Sequence, residues 1–226
     1  MKVSARLKKI AYMVKYPMLF DVGSDHALLP IFAIKQGLAT SAVATDINPG
    51  PLARAEQNIE LFGLGNAIKT RLTSGLDGLT GTKNSTCIIA GMGGILVNGI
   101  IKQNLQTALA FGQIIIQPQR DVPDVRRFIL SNGFKIDDEE MVEERGKFYN
   151  ILDCSPGAGR PYDEISYLFG KHLIEKRPTV FIKFVQTQQQ KTRRIISALD
   201  RRSPRGAELE KYLQFCEKLG LEAQND

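Results

Sequence analysis

The first 130 residues alternate short apolar runs with amphipathic stretches, and this alternation constrains the fold more than any other feature. Five apolar runs predict buried strands, at residues 18–22, 41–47, 69–72, 86–90 and 112–117. Helical spacing, proline starts and Gly or Pro stops predict the helices around them, over 3–16, 28–37, from Pro51 onward, 95–105 and 123–130. Strands of this kind alternating with helices are typical of a parallel sheet that is covered on both faces.

The pattern changes after Gly133. Residues 134–155 contain two strand-like runs around Glu143–Gly146 with no helix between them, which predicts an antiparallel hairpin at the end of the sheet. Five βα units closed by such a hairpin are the usual plan of a class I methyltransferase. We therefore predict an α/β fold, with a Rossmann-like methyltransferase domain and a seven-stranded, mostly parallel sheet over residues 1–158.

The last quarter of the chain has a different character. A Gly- and Pro-rich linker covers 155–163, and beyond it two amphipathic stretches flank a turn at 201–206, which predicts an α-helical coiled-coil domain over 159–226. Residues 171–226 hold 12 Lys and Arg against 7 acids, or +5 of the net +6. This excess suits a polyanionic partner. The candidate RNA contacts are Arg6, Arg193, Arg194, Arg201, Arg202 and Arg205, with a solvated helix face as the alternative.

Composition excludes several other classes. The three cysteines lie far apart in the sequence and form no zinc-ligand pair, and two histidines are too few for a His-rich metal centre. Apolar runs are too short for a membrane span, and the N-terminus lacks the apolar core of a signal peptide. We therefore expect a cytoplasmic, monomeric protein without metal or membrane attachment.

The segment DVGSDHALLP, residues 21–30, is the most informative motif. It places an acid, Asp21, at the end of a strand and Gly23 where a ligand can approach the backbone of a helix entry. Asp25 replaces the second glycine of a dinucleotide-binding loop and would repel a pyrophosphate, which disfavours NAD or FAD. The loop suits S-adenosylmethionine, whose amino group Asp21 would hold beside Ser24. The alternative is a plain βα turn in which Asp25 caps the helix.

Further candidates follow the other strands, because ligands bind at the carboxyl ends of strands in open sheets. Asp46, followed by Ile47 and Asn48, would accept the ribose hydroxyls, although an acid before a turn is often only a turn former. The loop with Ser74, Gly75 and Leu76 would frame the adenine. Ala90, Gly91 and Met92 begin the loop AGMGG, where a flat base could approach the backbone; a helix-entry loop with a buried Met is the alternative.

Taken in order, DVGSDHALLP, RLTSGL, IIAGMGG, IIIQPQ and GKFYNIL resemble the bacterial tRNA (adenine-22-N1)-methyltransferase family, TrmK, over essentially the whole chain. The resemblance implies a class I Rossmann-like domain, a C-terminal coiled-coil domain, S-adenosylmethionine as methyl donor and tRNA as substrate. The chain departs from the family in having Leu28 where a Tyr is frequent, and SGLDG in the loop at 74–78. That loop leaves both Ser74 and Asp77 as candidates for the contact with adenine.

Methylation at N1 of adenine needs alignment more than a base, because neutral N1 has no proton to lose. A carboxylate could stabilise the positive charge that develops; Asp25 and His26 are the catalytic candidates. The Asn-Pro-Pro-Tyr signature of amino-group methyltransferases is missing, which favours a ring nitrogen. Tyr149 or Phe148 could stack on the base. Two other functions stay open: methylation of another RNA or small molecule, and non-catalytic RNA binding by a relic Rossmann domain.

Overall fold

A computed structural model describes residues 3–199 and 203–221. The chain divides into two compact units, Met1–Asp163 and Glu164–Asp226. Within the described residues, no helix combines the length and apolar character that a membrane span requires.

The first unit is built on a seven-stranded sheet of order β3-β2-β1-β4-β5-β7-β6. Its strands are β1 (Met18–Val22), β2 (Ser41–Asp46), β3 (Ile68–Leu72), β4 (Ser85–Met92), β5 (Gln113–Pro118), β6 (Phe134–Glu144) and β7 (Lys147–Pro156). Strands β1 to β5 are parallel, whereas β7 is antiparallel to both β5 and β6. The predicted seven-stranded, mostly parallel sheet with a terminal hairpin is confirmed.

Six helices accompany this sheet: α1 (Ala5–Tyr12), α2 (Leu28–Lys35), α3 (Pro49–Leu61), α4 (Gly94–Gln103), α5 (Leu105–Ala110) and α6 (Val122–Ser131). Helix α1 is shorter than the predicted 3–16, because Ser4 caps it by accepting the N–H of Leu7 at 3.3 Å. The helix predicted over 95–105 ends at Gln103, since Asn104 has a non-helical backbone and α5 begins anew after it.

The core lies on both faces of the sheet, which explains why the strands are continuously apolar. Neighbouring residues of one strand belong to different clusters: Phe20 and Ile114 pack on one face, and Leu19 and Ile115 on the other. At the sheet's far end, Arg126 of α6 donates from Nε to Glu139 Oε1 at 2.6 Å, with both side chains almost completely buried.

The second unit contains four helices: α7 (Glu164–Phe169), α8 (Lys171–Lys176), α9 (Thr179–Ser197) and α10 (Pro204–Leu221). Helices α9 and α10 pack against each other: Arg193 of α9 pairs with Glu217 of α10, and Arg177, just before α9, donates to the carbonyl of Leu219. These two helices lie where the sequence predicted two amphipathic stretches; their antiparallel coiled-coil packing stays a prediction.

Candidate active site

Two cavities open at the carboxyl ends of the parallel strands, and Gly23 lines both of them. The first has a volume of about 330 Å³. The sequence candidates that line it are Arg6, Asp21, Ser24, Asp25, His26, Ala90 and Gly91. The second has a volume of about 280 Å³. The sequence candidates that line it are Asp46, Ile47, Asn48, Ser74, Gly75 and Met92. Since β1 has β2 on one side and β4 on the other, the cavities lie where the strand order switches, the usual ligand site of such sheets.

Asp21 supplies a buried carboxyl group at the end of β1. Its side chain is 7% exposed, and burial raises its pKa from 3.8 to about 6, with Ser24 opposing the rise. Ser24 lies beside Asp21, yet its buried Oγ makes no well-formed hydrogen bond to a described residue. A buried polar atom without a partner costs free energy, so this part of the cavity is suited to a polar, cationic group of a ligand.

Gly23 is favoured by its backbone conformation, and a side chain there would displace the end of the Met92 side chain. Its φ is +75°, and a Cβ there would lie 2.1 Å from Cε of Met92. The N–H groups of Gly23 and Ser24 donate to the carbonyl of Thr45 at 2.8 and 2.7 Å. These two hydrogen bonds tie the loop after β1 to the end of β2.

Asp25 and His26 are adjacent in the first cavity and contact each other. The Asp25 carboxylate accepts a hydrogen bond from Arg54 Nη2 at 2.8 Å, and His26 Nε2 lies 3.3 Å from its other oxygen. Asp25 does not cap α2, because the residue at the N-cap is Ala27, with φ +52°. The turn alternative for Asp25 is thus wrong in its detail, and the carboxylate stays 62% exposed at the cavity.

The second cavity combines an acid with apolar side chains. Asp46 Oδ1 accepts the N–H of Asn48 at 2.8 Å, so Asp46 forms the turn that the sequence allowed while also lining the cavity. A carboxylate has about four acceptor positions, which leaves capacity for hydroxyl groups. Ile47 is 65% exposed at the same edge. Sequence reasoning missed Leu96, whose only local signal is its place after the AGMGG loop.

The loop after β3 is divided between cavity and core. Ser74 and Gly75 line the second cavity, and Gly75 has φ +56°. Leu76 is completely buried in the core and lines neither cavity, which is a correction to its predicted contact with the cofactor. Its side chain is the apolar anchor below the loop. Asp77 is exposed and also lines neither cavity.

Arg6 lies in the first cavity, although the sequence suggested it only as an RNA contact. Its Nη1 donates to Oε1 of the buried Gln117 at the end of β5, and its guanidinium lies 5.4 Å from the ring centroid of Tyr149. Gln119 lines the same cavity and was recognised only as part of the rim. No local pattern marks Arg6, because its partner is 111 residues away in the chain.

The other candidate RNA contacts lie in the second unit. Arg193 Nη2 pairs with Glu217 Oε1 at 2.9 Å, while Arg194 and Arg205 are exposed. Arg201 and Arg202 lie outside the described residues. The described part of the chain contains no group of three or more His, Cys, Asp and Glu side chains that could hold a metal ion.

Comparison with known proteins gives a consistent result. The sequence profile of TrmK, "tRNA (adenine(22)-N(1))-methyltransferase", matches residues 19–219. The Bacillus subtilis protein of that name is 29% identical over 98% of this chain and 95% of its own length. The crystal structure of Streptococcus pneumoniae Sp1610 in complex with S-adenosyl-L-methionine is 32% identical, with a TM-score of 0.87 over 97% of this chain and 100% of that one. The chain therefore belongs to the TrmK family and is an S-adenosylmethionine-dependent tRNA (adenine(22)-N(1))-methyltransferase.

Proposed function

We propose that this enzyme binds S-adenosylmethionine across Gly23, with the amino-acid end in the first cavity and the adenosyl end in the second, and methylates N1 of adenine 22 in a tRNA held by the basic helical unit. The observation that carries the proposal is the pair of cavities that meet at Gly23. One contains a buried carboxyl beside a buried hydroxyl, and the other an acid beside exposed apolar side chains.

The first cavity matches the charges of an amino acid. The carboxylate of Asp21 would hold the ammonium group of the cofactor, and the guanidinium of Arg6 would pair with its carboxylate. Ser24 Oγ, which makes no well-formed hydrogen bond in the ligand-free cavity, would add a polar contact to the same group. The negative charge that disfavours a pyrophosphate here is an advantage for a cofactor with a cationic sulfonium centre.

The second cavity matches a nucleoside. Asp46 would accept hydrogen bonds from the ribose hydroxyls through the oxygen that its turn leaves available. Ile47, Leu96 and Ile100 supply apolar surface for the two faces of the adenine, and Ser74 lies at the same cavity. Exposed aliphatic side chains at a cavity mouth are stabilised when a flat ligand covers them.

The cofactor supplies an electrophilic methyl group, so the chain's own task is to orient the target base and stabilise charge. Gly91 and Gln119 border the first cavity where the base would approach the backbone. Asp25 would compensate the positive charge that develops on the methylated ring, with His26 held by its carboxylate. No residue needs to remove a proton from N1, which suits a site whose acid is already ion-paired with Arg54.

The helical unit is the proposed binding surface for the tRNA backbone. Its exposed cations include Lys183, Lys191, Arg194, Arg205 and Lys218. Phosphate contacts of this kind bind without reading sequence and weaken as salt increases. The proposal includes a monomeric, cytoplasmic enzyme that needs no metal ion. Its coiled-coil tail would take part in binding one tRNA.

A labelling experiment tests the proposal. The purified protein is incubated with methyl-tritiated S-adenosylmethionine and an unmodified tRNA transcript, and the labelled nucleoside is identified after digestion. We expect 1-methyladenosine, no label when adenine 22 is replaced by guanine, and loss of label in Asp21→Ala. Asp77→Ala is the matched control, because this exposed acid lines neither cavity.

Other outcomes would contradict specific parts of the proposal. Label in a different nucleoside would refute the target but keep the methyltransferase. Turnover of a small molecule without any tRNA labelling would refute the substrate. Binding of tRNA without any binding of S-adenosylmethionine would indicate the non-catalytic RNA-binding alternative.

A further inference from the structure

Helix α4 begins with two exposed aliphatic side chains directly after the AGMGG loop. Ile95 is 78% exposed and Leu96 is 55% exposed, whereas Val97, Ile100 and Ile101 of the same helix are buried. Single exposed aliphatic residues are common on protein surfaces. Two in succession beside a ligand cavity form a patch, and such patches mark surfaces that another molecule covers.

The position of this patch relates it to the substrate. Leu96 lines the second cavity together with Met92, so Ile95 stands at the rim of the site rather than on a distant face. The loop before it contains Gly91, which lines the first cavity, where the target base is proposed to approach. Ile95 is therefore adjacent to the place where a nucleotide must enter.

A cation lies beside the same patch. The N–H of Gly94 donates to the carbonyl of Arg120 at 3.2 Å, which joins the start of α4 to the loop after β5. The Arg120 side chain covers Gly93, with Nε 3.0 Å from where a Cβ on that glycine would lie. Its side chain is 78% exposed, and its ion-pair contact with Asp121 is long, at 3.7 Å. The exposed aliphatic side chain suits contact with stacked bases, and the exposed guanidinium suits contact with a neighbouring phosphate.

The reaction itself requires such a device. N1 lies on the pairing edge of adenine, and a stacked base in a folded tRNA does not present it to the bottom of a cavity. Proteins that unstack nucleic acid commonly insert an apolar side chain between neighbouring bases. The aromatic candidates Phe148 and Tyr149 are half-buried, and the guanidinium of Arg6 lies over the Tyr149 ring. The large apolar side chains that are exposed beside the cavities are Ile47, Ile95 and Leu96.

We propose that Ile95 is a wedge that enters the tRNA stack beside the target adenine, while Arg120 contacts an adjoining phosphate. The inference rests on the proposed function and deepens it, because it assigns the step that exposes the base. Ile95 is a positioning residue: it acts on the neighbouring base step and leaves the methyl transfer to the residues of the cavities.

The test uses a tRNA transcript with 2-aminopurine in place of adenine 22, whose fluorescence rises when the base is unstacked. Wild-type enzyme with S-adenosylhomocysteine is expected to raise the fluorescence, and Ile95→Ala to bind the tRNA with little of this rise. Leu61→Ala is the matched control, since Leu61 is 77% exposed at the end of α3 and lines neither cavity. Ile95→Met, which keeps a long apolar side chain, is expected to restore the signal.

Turnover gives a second readout. Loss of the wedge is expected to lower kcat on unmodified tRNA about ten- to a hundredfold, because unstacking a base step is costly without it, with a smaller change in KM. A tRNA with an abasic nucleotide next to the target should recover much of the loss, because less unstacking is needed. Equal fluorescence and kcat for Ile95→Ala and wild type would overturn the wedge. Absence of adenine methylation by the wild type would instead overturn the proposed function.

Discussion

Replacing Asp21 by Asn should separate two effects of the buried carboxylate: its destabilisation of the ligand-free fold and its contribution to cofactor affinity. Burial raises the pKa of Asp21 from 3.8 to about 6. Between these values the folded protein holds the proton and the unfolded chain does not, so the stability of the ligand-free protein falls as the pH rises through about 6. Asn resembles the protonated carboxyl, and we expect it to remove this part of the pH dependence.

The size of the effect follows from the same two values. One pKa unit corresponds to about 1.4 kcal/mol, so the ionised carboxylate costs the folded, ligand-free protein about 3 kcal/mol. Asp21→Asn should therefore be more stable than wild type at about pH 8, by up to this amount, and similar to it at about pH 4. Affinity for S-adenosylmethionine should change in the opposite sense: removing one partner of a buried ion pair costs about 2–5 kcal/mol, or at least about thirtyfold in Kd.

Two measurements check this reasoning. Urea unfolding of the ligand-free proteins at about pH 4 and pH 8 gives the stability difference, in which other titrating groups cancel. Calorimetric titration with S-adenosylmethionine gives the affinity, which in the wild type should weaken as the pH falls below about 6. Asp77→Asn serves as the exposed control. A variant that is no more stable than wild type at pH 8, or that binds the cofactor equally well, would refute the argument.

Three further predictions concern the backbone, the core and the RNA contact. Gly23→Ala and Gly63→Ala both place a Cβ at positive φ and should each lose about 1 kcal/mol of unfolding free energy, and Gly23→Ala should lose somewhat more because its Cβ displaces the end of the Met92 side chain. Only Gly23→Ala should also weaken S-adenosylmethionine binding, as calorimetry would show, because Gly23 lines both cavities. Arg126→Met removes the cation that pairs with the buried Glu139 carboxylate and should cost about 3–5 kcal/mol in urea unfolding, whereas Arg127→Met, on the surface, should change stability by less than about 1 kcal/mol. Arg194→Gln should lower the salt dependence of tRNA binding by about one phosphate contact while cofactor affinity stays constant; an unchanged slope would remove Arg194 from the interface.

The buried position of Leu76 shows where sequence reasoning reaches its limit within a single loop. Ser74, Gly75 and Leu76 follow β3 together, and the strand-end rule places all three near a ligand. Which of them turns inward depends on the core below, where Leu76 is fully buried. The same rule correctly places Asp21 and Asp46 at the two cavities, because each is the acid at or next to the end of its strand.

The sequence also predicted the presence of the helices better than the residues at which they end. Apolar periodicity identified α1 and α4, yet it cannot show that the Ser4 side chain caps one or that Asn104 leaves helical geometry after the other. Hydrogen bonds and dihedral angles of single residues decide such ends. Periodicity, in contrast, is summed over a whole element.

The sequence by itself determined the doubly covered parallel sheet, its closing hairpin and the strand-end loops that line both cavities. Local periodicity and chain direction are sufficient for these features, because parallel strands bring their carboxyl ends to one edge. Only the tertiary structure decided that Arg6 joins Gln117 in the first cavity, that Met92 lies against Gly23, and that Arg54 pairs with Asp25. These contacts join residues 111, 69 and 29 positions apart, and they depend on how separate elements pack rather than on any local pattern.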